Sequence, residues 1–129
     1  QNCTLNDGSG LSRRNLVSPL AMVTLLEQAW KLPFAQPFIN SFAIAGVDGT
    51  LRRRMKGTHA EGNLIAKTGT LRNVSALAGY VTTLDGEQLA FSFIFNGGSV
   101  GSYKQAENAI GTLLADFSYL SALQGLSDQ

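Results

Sequence analysis

Large apolar residues occupy every second position between residues 88 and 96. A period of two is typical of a β-strand, so this pattern predicts a strand over residues 88–96. Small and β-branched residues predict a second strand over residues 74–83, and Asp85-Gly86 between the two is typical of a tight hairpin. A third strand is predicted over residues 62–68. The short connections predict that all three strands are antiparallel neighbours.

A helical period lies on either side of the strands. In the first helix, apolar residues recur at helical spacing at Met22, Leu25, Leu26, Ala29 and Trp30. Ser18 is a suitable N-cap and Pro19 suits the first helical position, and we expect the apolar stripe to lie in the core. A capping box from Ser102 to Gln105 predicts the start of a second helix. Its predicted buried face consists of Ala106, Ile110, Leu113, Leu114 and Phe117, with Gly111 as a tolerated defect, and the tail from Ser121 is expected to fray.

Together these elements predict an α+β fold, a three-stranded antiparallel sheet covered by helices, and residues 1–129 make up one domain at most. The 44 % apolar and 15 % charged residues are typical of a globular chain. A net charge of +1 argues against a dedicated nucleic-acid partner, and no apolar run is long enough to cross a bilayer. The start, Gln1-Asn2-Cys3, lacks the basic and apolar stretches of a signal peptide.

Several single features carry weaker signals. Cys3 is the only cysteine, so no internal disulfide can form, and we predict neither a metal site nor a cofactor. The basic residues between positions 52 and 56 are interpreted as a solvated helix face or a docking surface for an acidic partner. Aromatic residues do not interleave with them, which argues against nucleic acid. His59 is the only histidine, and we expect it on the surface without a partner.

The stretch from Ala66 to Leu71, with the sequence Ala-Lys-Thr-Gly-Thr-Leu, carries the main candidate chemistry. It is expected at the end of the first predicted strand. Lys67 supplies a compact positive charge that suits a carboxylate, and the Thr68 hydroxyl can donate a second hydrogen bond to the same group. Gly69 lets a ligand backbone come close to the strand.

Three motifs follow one another in the chain: Asp7-Gly8-Ser9-Gly10-Leu11-Ser12-Arg13, Ala45-Gly46-Val47-Asp48-Gly49-Thr50-Leu51, and Ala66-Lys67-Thr68-Gly69-Thr70-Leu71 with Gly79-Tyr80 beyond it. In this order and spacing they resemble the C-terminal part of the class C low-molecular-weight penicillin-binding proteins, from about residue 4 to residue 118. These are serine-type D-alanyl-D-alanine carboxypeptidases and endopeptidases of peptidoglycan. The resemblance implies part of a β-lactamase/transpeptidase-like fold.

The resemblance also implies roles for residues. Lys67 would be a catalytic-site ammonium that helps to bind the terminal carboxylate of a stem peptide ending in D-Ala-D-Ala. Thr68 and Thr70 would hydrogen-bond that carboxylate, and the Thr70 backbone N–H would be an oxyanion-hole donor. Gly69 would keep the strand edge clear, and β-lactams would acylate the same site. Arg13 or Arg14 could face an acidic side chain of the stem peptide.

The sequence departs from the family in one respect. No serine is followed by Lys three residues later or by Asn two residues later, so the nucleophile (Ser-x-x-Lys) and the proton-shuttle motif (Ser-x-Asn) are missing. We expect both in an absent N-terminal portion, and we expect this chain alone to be inactive. The open strand edge would associate with that portion or with another copy.

The family's chemistry implies a periplasmic or extracytoplasmic location. Two functions remain as alternatives to the carboxypeptidase or endopeptidase: a relative that binds wall peptides without hydrolysis, and a β-lactamase.

Overall fold

The alternating stretch forms the predicted strand, Gln88–Asn96, in the computed structural model, which describes residues 3–128. The predicted domain and the signal-peptide argument also involve Gln1, Asn2 and Gln129, which lie outside the described residues. In chain order the elements are β1 (Cys3–Thr4), β2 (Leu16–Val17), α1 (Pro19–Trp30), α2 (Ala35–Asn40), β3 (Ala43–Ile44), a 3₁₀ turn (Gly49–Leu51), β4 (Ile65–Leu71), β5 (Val74–Thr82), β6 (Gln88–Asn96), α3 (Val100–Asp116) and α4 (Tyr119–Ser127).

The main sheet has four antiparallel strands in the order β3-β4-β5-β6. The mixed helix and antiparallel-sheet class is confirmed, whereas the expected number of three strands is wrong. The missed strand, β3, has two residues, and a strand of that length shows no period in a sequence. β1 and β2 form a separate two-stranded ribbon near the start of the described residues.

The first predicted strand is displaced along the chain. β4 covers Ile65–Leu71 rather than residues 62–68. Gly62 lies in a turn, where its N–H donates to the Ala45 carbonyl at 2.8 Å. The Asn63 and Leu64 N–H groups both donate to the Ala60 carbonyl and close this turn, so the strand begins three residues later than the apolar pattern indicates.

One face of the sheet holds the core under α3. Directly paired residues of antiparallel strands share a face, so Leu77 of β5 lies beside Phe93 of β6 there. The buried cluster on this face comprises Ala45, Leu51, Met55, Ala60, Leu64, Ala66, Leu77, Val81, Phe91 and Ala115. Many of these side chains come from β4, β5 and the preceding 45–64 segment, which fixes β4 firmly from this side.

α3 packs on that face through its small residues. It begins at Val100 with Ser99 as N-cap, so the predicted capping box at Ser102 is wrong. Gly111 is buried, and a Cβ there would lie 2.9 Å from Leu64 Cδ1. The helix therefore approaches the sheet through Gly111 and Ala115, with Glu107 beside them. The predicted buried residues Ile110, Leu113 and Phe117 are instead 37 %, 66 % and 36 % exposed.

The other face of the sheet is only partly covered by α1. Leu26 is the one buried residue of this helix, and its carbonyl accepts a 2.7 Å hydrogen bond from the Tyr80 hydroxyl. Leu25 and Trp30, which the sequence places in the core, are 58 % and 41 % exposed. The expectation of a fully buried stripe is therefore wrong for most of its residues within this chain.

The predicted tail from Ser121 is helical as far as Ser127 rather than frayed. α4 runs from Tyr119 to Ser127, with Ser118 as N-cap. The Ser118 hydroxyl also donates to Asp85 Oδ1 at 2.8 Å, which ties the start of α4 to the β5–β6 hairpin. None of the described helices is both long and apolar enough to span a membrane.

Candidate functional site

The Lys-Thr-Gly residues lie in the middle of β4, because the strand continues to Leu71 instead of ending at Thr68. On one side β5 pairs with the whole of β4. On the other side β3 pairs only with Ile65 and Ala66. Among residues 3–128, no strand pairs with this outer edge from Lys67 onward. The predicted open edge is thus present beside the candidate residues.

Lys67 is exposed on this edge. Its Nζ donates to the carbonyl of the next residue, Thr68, at 2.7 Å. Within the described part of the chain, no carboxylate lies within ion-pair distance of this ammonium, since the ion pairs there involve Arg54 and His59. Its positive charge is therefore available to an anionic ligand.

Gly69 lines a cavity of about 320 Å³ between α1 and the face of the sheet that α1 partly covers. A Cβ built on Gly69 would make only an ordinary contact of 3.6 Å with the Ala76 side chain. Packing inside this chain therefore does not require glycine here. Gly79 of β5, which pairs with Ala66, differs because a Cβ there would lie 2.0 Å from the Ile65 carbonyl oxygen.

A larger cleft of about 740 Å³ lies over the face of the sheet, where Val74 and Ala76 of β5 and Ile94 and Asn96 of β6 line it together with β4. One wall is β4, including Lys67, Thr68, Gly69 and Thr70. The opposite wall is the loop of residues 8–13 with residues 15–17. The first and third sequence motifs therefore face each other across one groove. Arg13 lines this groove and Arg14 does not.

Asp7 organises the loop wall. Its Oδ1 accepts from Asn15 Nδ2 at 2.7 Å and from the Gly10 N–H at 3.1 Å, and its Oδ2 accepts from the Ser12 N–H at 3.0 Å. The hydrogen bond from Asn15 is the largest of the effects that together lower the Asp7 pKa from its usual value. The loop is thus held around one ionised carboxylate.

Arg13 joins this wall to the sheet. Its Nη2 donates to the carbonyl of Arg72, in the β4–β5 turn, at 3.1 Å. The bond spans 59 positions of sequence and crosses the end of the groove. It sets the distance between the two walls at that end.

The second motif, residues 45–51, follows β3 beside β4 and carries Thr50. The Thr68 and Thr50 hydroxyl oxygens are 3.0 Å apart and share a hydrogen bond. Sequence reasoning did not assign Thr50 a role. The motif of residues 45–51 was the only sequence feature that drew attention to this threonine. The contact between Thr50 and Thr68 joins positions 18 apart, so the motif did not reveal it.

The other candidates lie away from the groove-lining residues. His59 contacts Asp116, with Nδ1 and Oδ1 2.5 Å apart, so the expectation of a histidine without a partner is wrong. Both side chains are largely exposed, which agrees with the predicted surface position. Cys3 is an exposed free thiol. Among residues 3–128, no group of three His, Cys, Asp or Glu side chains is arranged to hold a metal ion.

Comparison with known proteins identifies the family. The profile of the D-Ala-D-Ala carboxypeptidase 3 (S13) family matches residues 1–117. A D-alanyl-D-alanine carboxypeptidase from Actinomadura sp. (strain R39) is 48 % identical over 126 residues, which is 94 % of this chain and 23 % of that relative. The chain therefore belongs to the S13 carboxypeptidase family, and the resemblance inferred from the three motifs is confirmed.

Other relatives agree with this assignment. D-alanyl-D-alanine carboxypeptidase DacB from Haemophilus influenzae is 45 % identical over 102 residues, which is 78 % of this chain and 21 % of that relative. Penicillin-binding protein 4 from the same organism, solved in complex with a β-lactam, superposes with a TM-score of 0.80 at 37 % identity. The superposition covers 91 % of this chain and 30 % of that protein. The chain thus spans less than a quarter of the length of the two carboxypeptidase relatives it matches.

Proposed function

We propose that this chain is the substrate-binding part of a serine-type D-Ala-D-Ala carboxypeptidase or endopeptidase that cleaves peptidoglycan stem peptides. The observation that carries the proposal is the position of Lys67. It is an ammonium without a carboxylate partner in the described chain, on an open strand edge that lines the groove. A peptide that ends in a carboxylate matches this site in both charge and shape.

Each candidate residue has a role in this proposal. Lys67 raises the local positive potential and attracts the substrate carboxylate. The hydroxyls of Thr68 and Thr70 donate hydrogen bonds to that carboxylate. The Thr70 backbone N–H donates to the oxyanion that develops during acyl transfer, where a single fixed donor changes the rate by about two orders of magnitude or more. Gly69 leaves room for the substrate main chain.

The nucleophile comes from outside these residues in the proposal. A serine of a Ser-x-x-Lys motif attacks the D-Ala-D-Ala peptide bond, the terminal D-Ala leaves, and water hydrolyses the acyl-enzyme. This motif and Ser-x-Asn are absent from the chain, so the 129 residues alone are expected to be inactive. The exposed stripe of α1 and the open edge of β4 are the surfaces that the rest of the enzyme would cover. Chemistry on peptidoglycan places the enzyme outside the cytoplasm.

Penicillin is proposed to acylate the same serine. A β-lactam carries a carboxylate beside its reactive amide, so Lys67 and Thr68 can hold it as they hold the substrate. The complex of the H. influenzae penicillin-binding protein with a β-lactam supports this part of the proposal. Of the two predicted arginines, we propose Arg13 as the one that faces an acidic stem-peptide side chain, because Arg13 lines the groove.

The test is the rate of acylation of the complete protein by a labelled penicillin. Lys67→Ala is expected to slow acylation by about 100-fold, a loss of the size seen when one electrostatic group of such a site is removed. Lys56→Ala removes the same charge from an exposed position outside the groove and is expected to leave the rate unchanged. Equal rates for the wild type and Lys67→Ala would refute the proposal. Rapid loss of the label would indicate a β-lactamase, and no label with retained peptide binding would indicate a non-catalytic relative.

A further inference from the structure

The motif of residues 45–51 has no role in the proposed function, although it is anchored directly beside β4. The Ala45 N–H donates to the Leu64 carbonyl at 2.9 Å, just before the strand begins. The Gly46 N–H donates to the Leu51 carbonyl at 2.9 Å, which closes the motif on itself. Ala45 and Leu51 are both fully buried. The backbone that carries Thr50 is therefore fixed on both sides.

This anchoring places the Thr50 hydroxyl oxygen 3.0 Å from the Thr68 hydroxyl oxygen. Thr68 lines both the 320 Å³ cavity and the groove of about 740 Å³. Thr50 is not among the described residues that line either of them. Thr50 is itself exposed, and it contacts Thr68 from outside the groove.

We propose that Thr50 is a positioning residue that directs the Thr68 hydroxyl toward an anion in the groove. The Thr50 hydroxyl then donates to Thr68 Oγ1, and the Thr68 hydroxyl donates to the anion. The inference rests on the proposed role of Thr68 as a carboxylate-binding residue. It adds a residue to the site that touches no substrate and acts only through Thr68.

This arrangement needs no movement of heavy atoms. A threonine hydroxyl has one donor hydrogen and two acceptor lone pairs, and rotation about the Cβ–Oγ1 bond redirects the hydrogen. A hydroxyl that accepts one hydrogen bond becomes a stronger donor of the next, because consecutive bonds polarise one another. Thr50 therefore both strengthens the donor at Thr68 and holds its oxygen in place.

The first experiment measures acylation of the complete protein by labelled benzylpenicillin. Thr50→Val removes the hydroxyl at nearly constant volume and is expected to slow acylation about three- to tenfold, the range for one hydrogen bond in a site. Thr50→Ser keeps the hydroxyl and is expected to restore the rate to within about twofold. Thr24→Val removes an exposed hydroxyl that bonds within α1 to the Leu20 carbonyl, and it serves as the matched control. Thr50→Ala replaces the valine variant if the latter does not fold.

The second experiment is a double-mutant cycle with Thr68→Val. If Thr50 acts through Thr68, adding Thr50→Val to Thr68→Val is expected to change the rate by less than about twofold. Additive losses would overturn the inference, because a general effect on folding would persist without the Thr68 hydroxyl. If Thr68→Val slows acylation and Thr50→Val does not, the inference about Thr50 is wrong, whereas the proposed role of Thr68 stands. A normal Thr68→Val enzyme would overturn the inference together with the proposed role of Thr68.

Discussion

Arg54 and Glu107 form an ion pair in the interior of the chain, with Arg54 Nη2 2.9 Å from Glu107 Oε2 and the Glu107 side chain fully buried. Arg54 Nε also donates to Asn108 Oδ1 at 2.7 Å, and the Ser75 hydroxyl donates to Glu107 Oε1 at 2.7 Å. The expectation that the basic run is a solvated face is wrong for this residue. Arg54 joins the 52–56 segment to α3, and Glu107 joins α3 to β5 through Ser75.

Removing one partner of this pair is expected to destabilise the fold. Arg54→Ala leaves the Glu107 carboxylate buried without its counter-charge, and the expected loss is about 3 kcal/mol in the free energy of unfolding. Arg53→Ala, at an exposed neighbouring position, is expected to change it by less than about 0.5 kcal/mol. Denaturant unfolding of both variants measures the difference. Similar stabilities for the two variants would show that the ion pair contributes little.

Two glycines of the sheet are expected to respond in opposite ways to alanine. At Gly79, the new Cβ would lie 2.0 Å from the Ile65 carbonyl oxygen, so Gly79→Ala must push β4 and β5 apart and lower the melting temperature. At Gly69, the new Cβ would meet only the Ala76 side chain at 3.6 Å. Gly69→Ala is therefore expected to keep the melting temperature within a few degrees, while penicillin acylation falls about tenfold or more because the groove narrows. Unchanged acylation would refute the role of Gly69.

The Asp7 loop is expected to lose its order in acid. The hydrogen bond from Asn15 is foremost among the causes that hold the folded-state pKa of Asp7 below its ordinary value of 3.8. A lowered pKa contributes stability that is present above pH 3.8 and is lost as the pH falls through the folded-state value. The amide signals of Gly10 and Ser12, followed by NMR during a pH titration, are expected to shift with a midpoint below 3.8. Asp7→Asn is expected to abolish this transition, and a midpoint above the ordinary value would contradict the prediction.

The 129-residue chain by itself is expected to associate. Leu25 of α1 is 58 % exposed and lines the cavity beside Gly69, and the outer edge of β4 is open from Lys67 onward. Light scattering after size-exclusion chromatography is expected to show species larger than a monomer. Leu25→Glu is expected to reduce this association if the apolar face drives it, and to leave it unchanged if the strand edge does. A monodisperse, cooperatively folded monomer of the unmodified chain would refute the prediction.

Local patterns predicted the long elements well. β6 has the predicted bounds because its period of two continues through nine residues, and α1 begins after Ser18 because a capping serine and a proline occur together. The start of α3 was misplaced because Ser99 and Ser102 offer the same capping chemistry, and only Ser99 caps the helix. The strand number was wrong because β3 has two residues and depends on pairing with β4.

The site was predictable in part. The three motifs identified the family, and the Lys-Thr-Gly motif pointed to the strand whose edge is open. Thr50 and the Arg54–Glu107 pair were not predicted, since their contacts join positions 18 and 53 apart in sequence. The exposure of the apolar stripe on α1 was not predicted either, because a sequence shows an apolar face without showing which part of the protein covers it.

The most direct measurement is to locate a covalent penicillin label by mass spectrometry. Both the complete protein and the isolated 129-residue chain are incubated with the labelled compound, and the modified peptide is sequenced. We expect one label on the complete protein, on a serine outside residues 1–129, and none on the isolated chain. A label on a serine within residues 1–129 would contradict the proposal that this chain supplies the Lys67 strand and not the nucleophile.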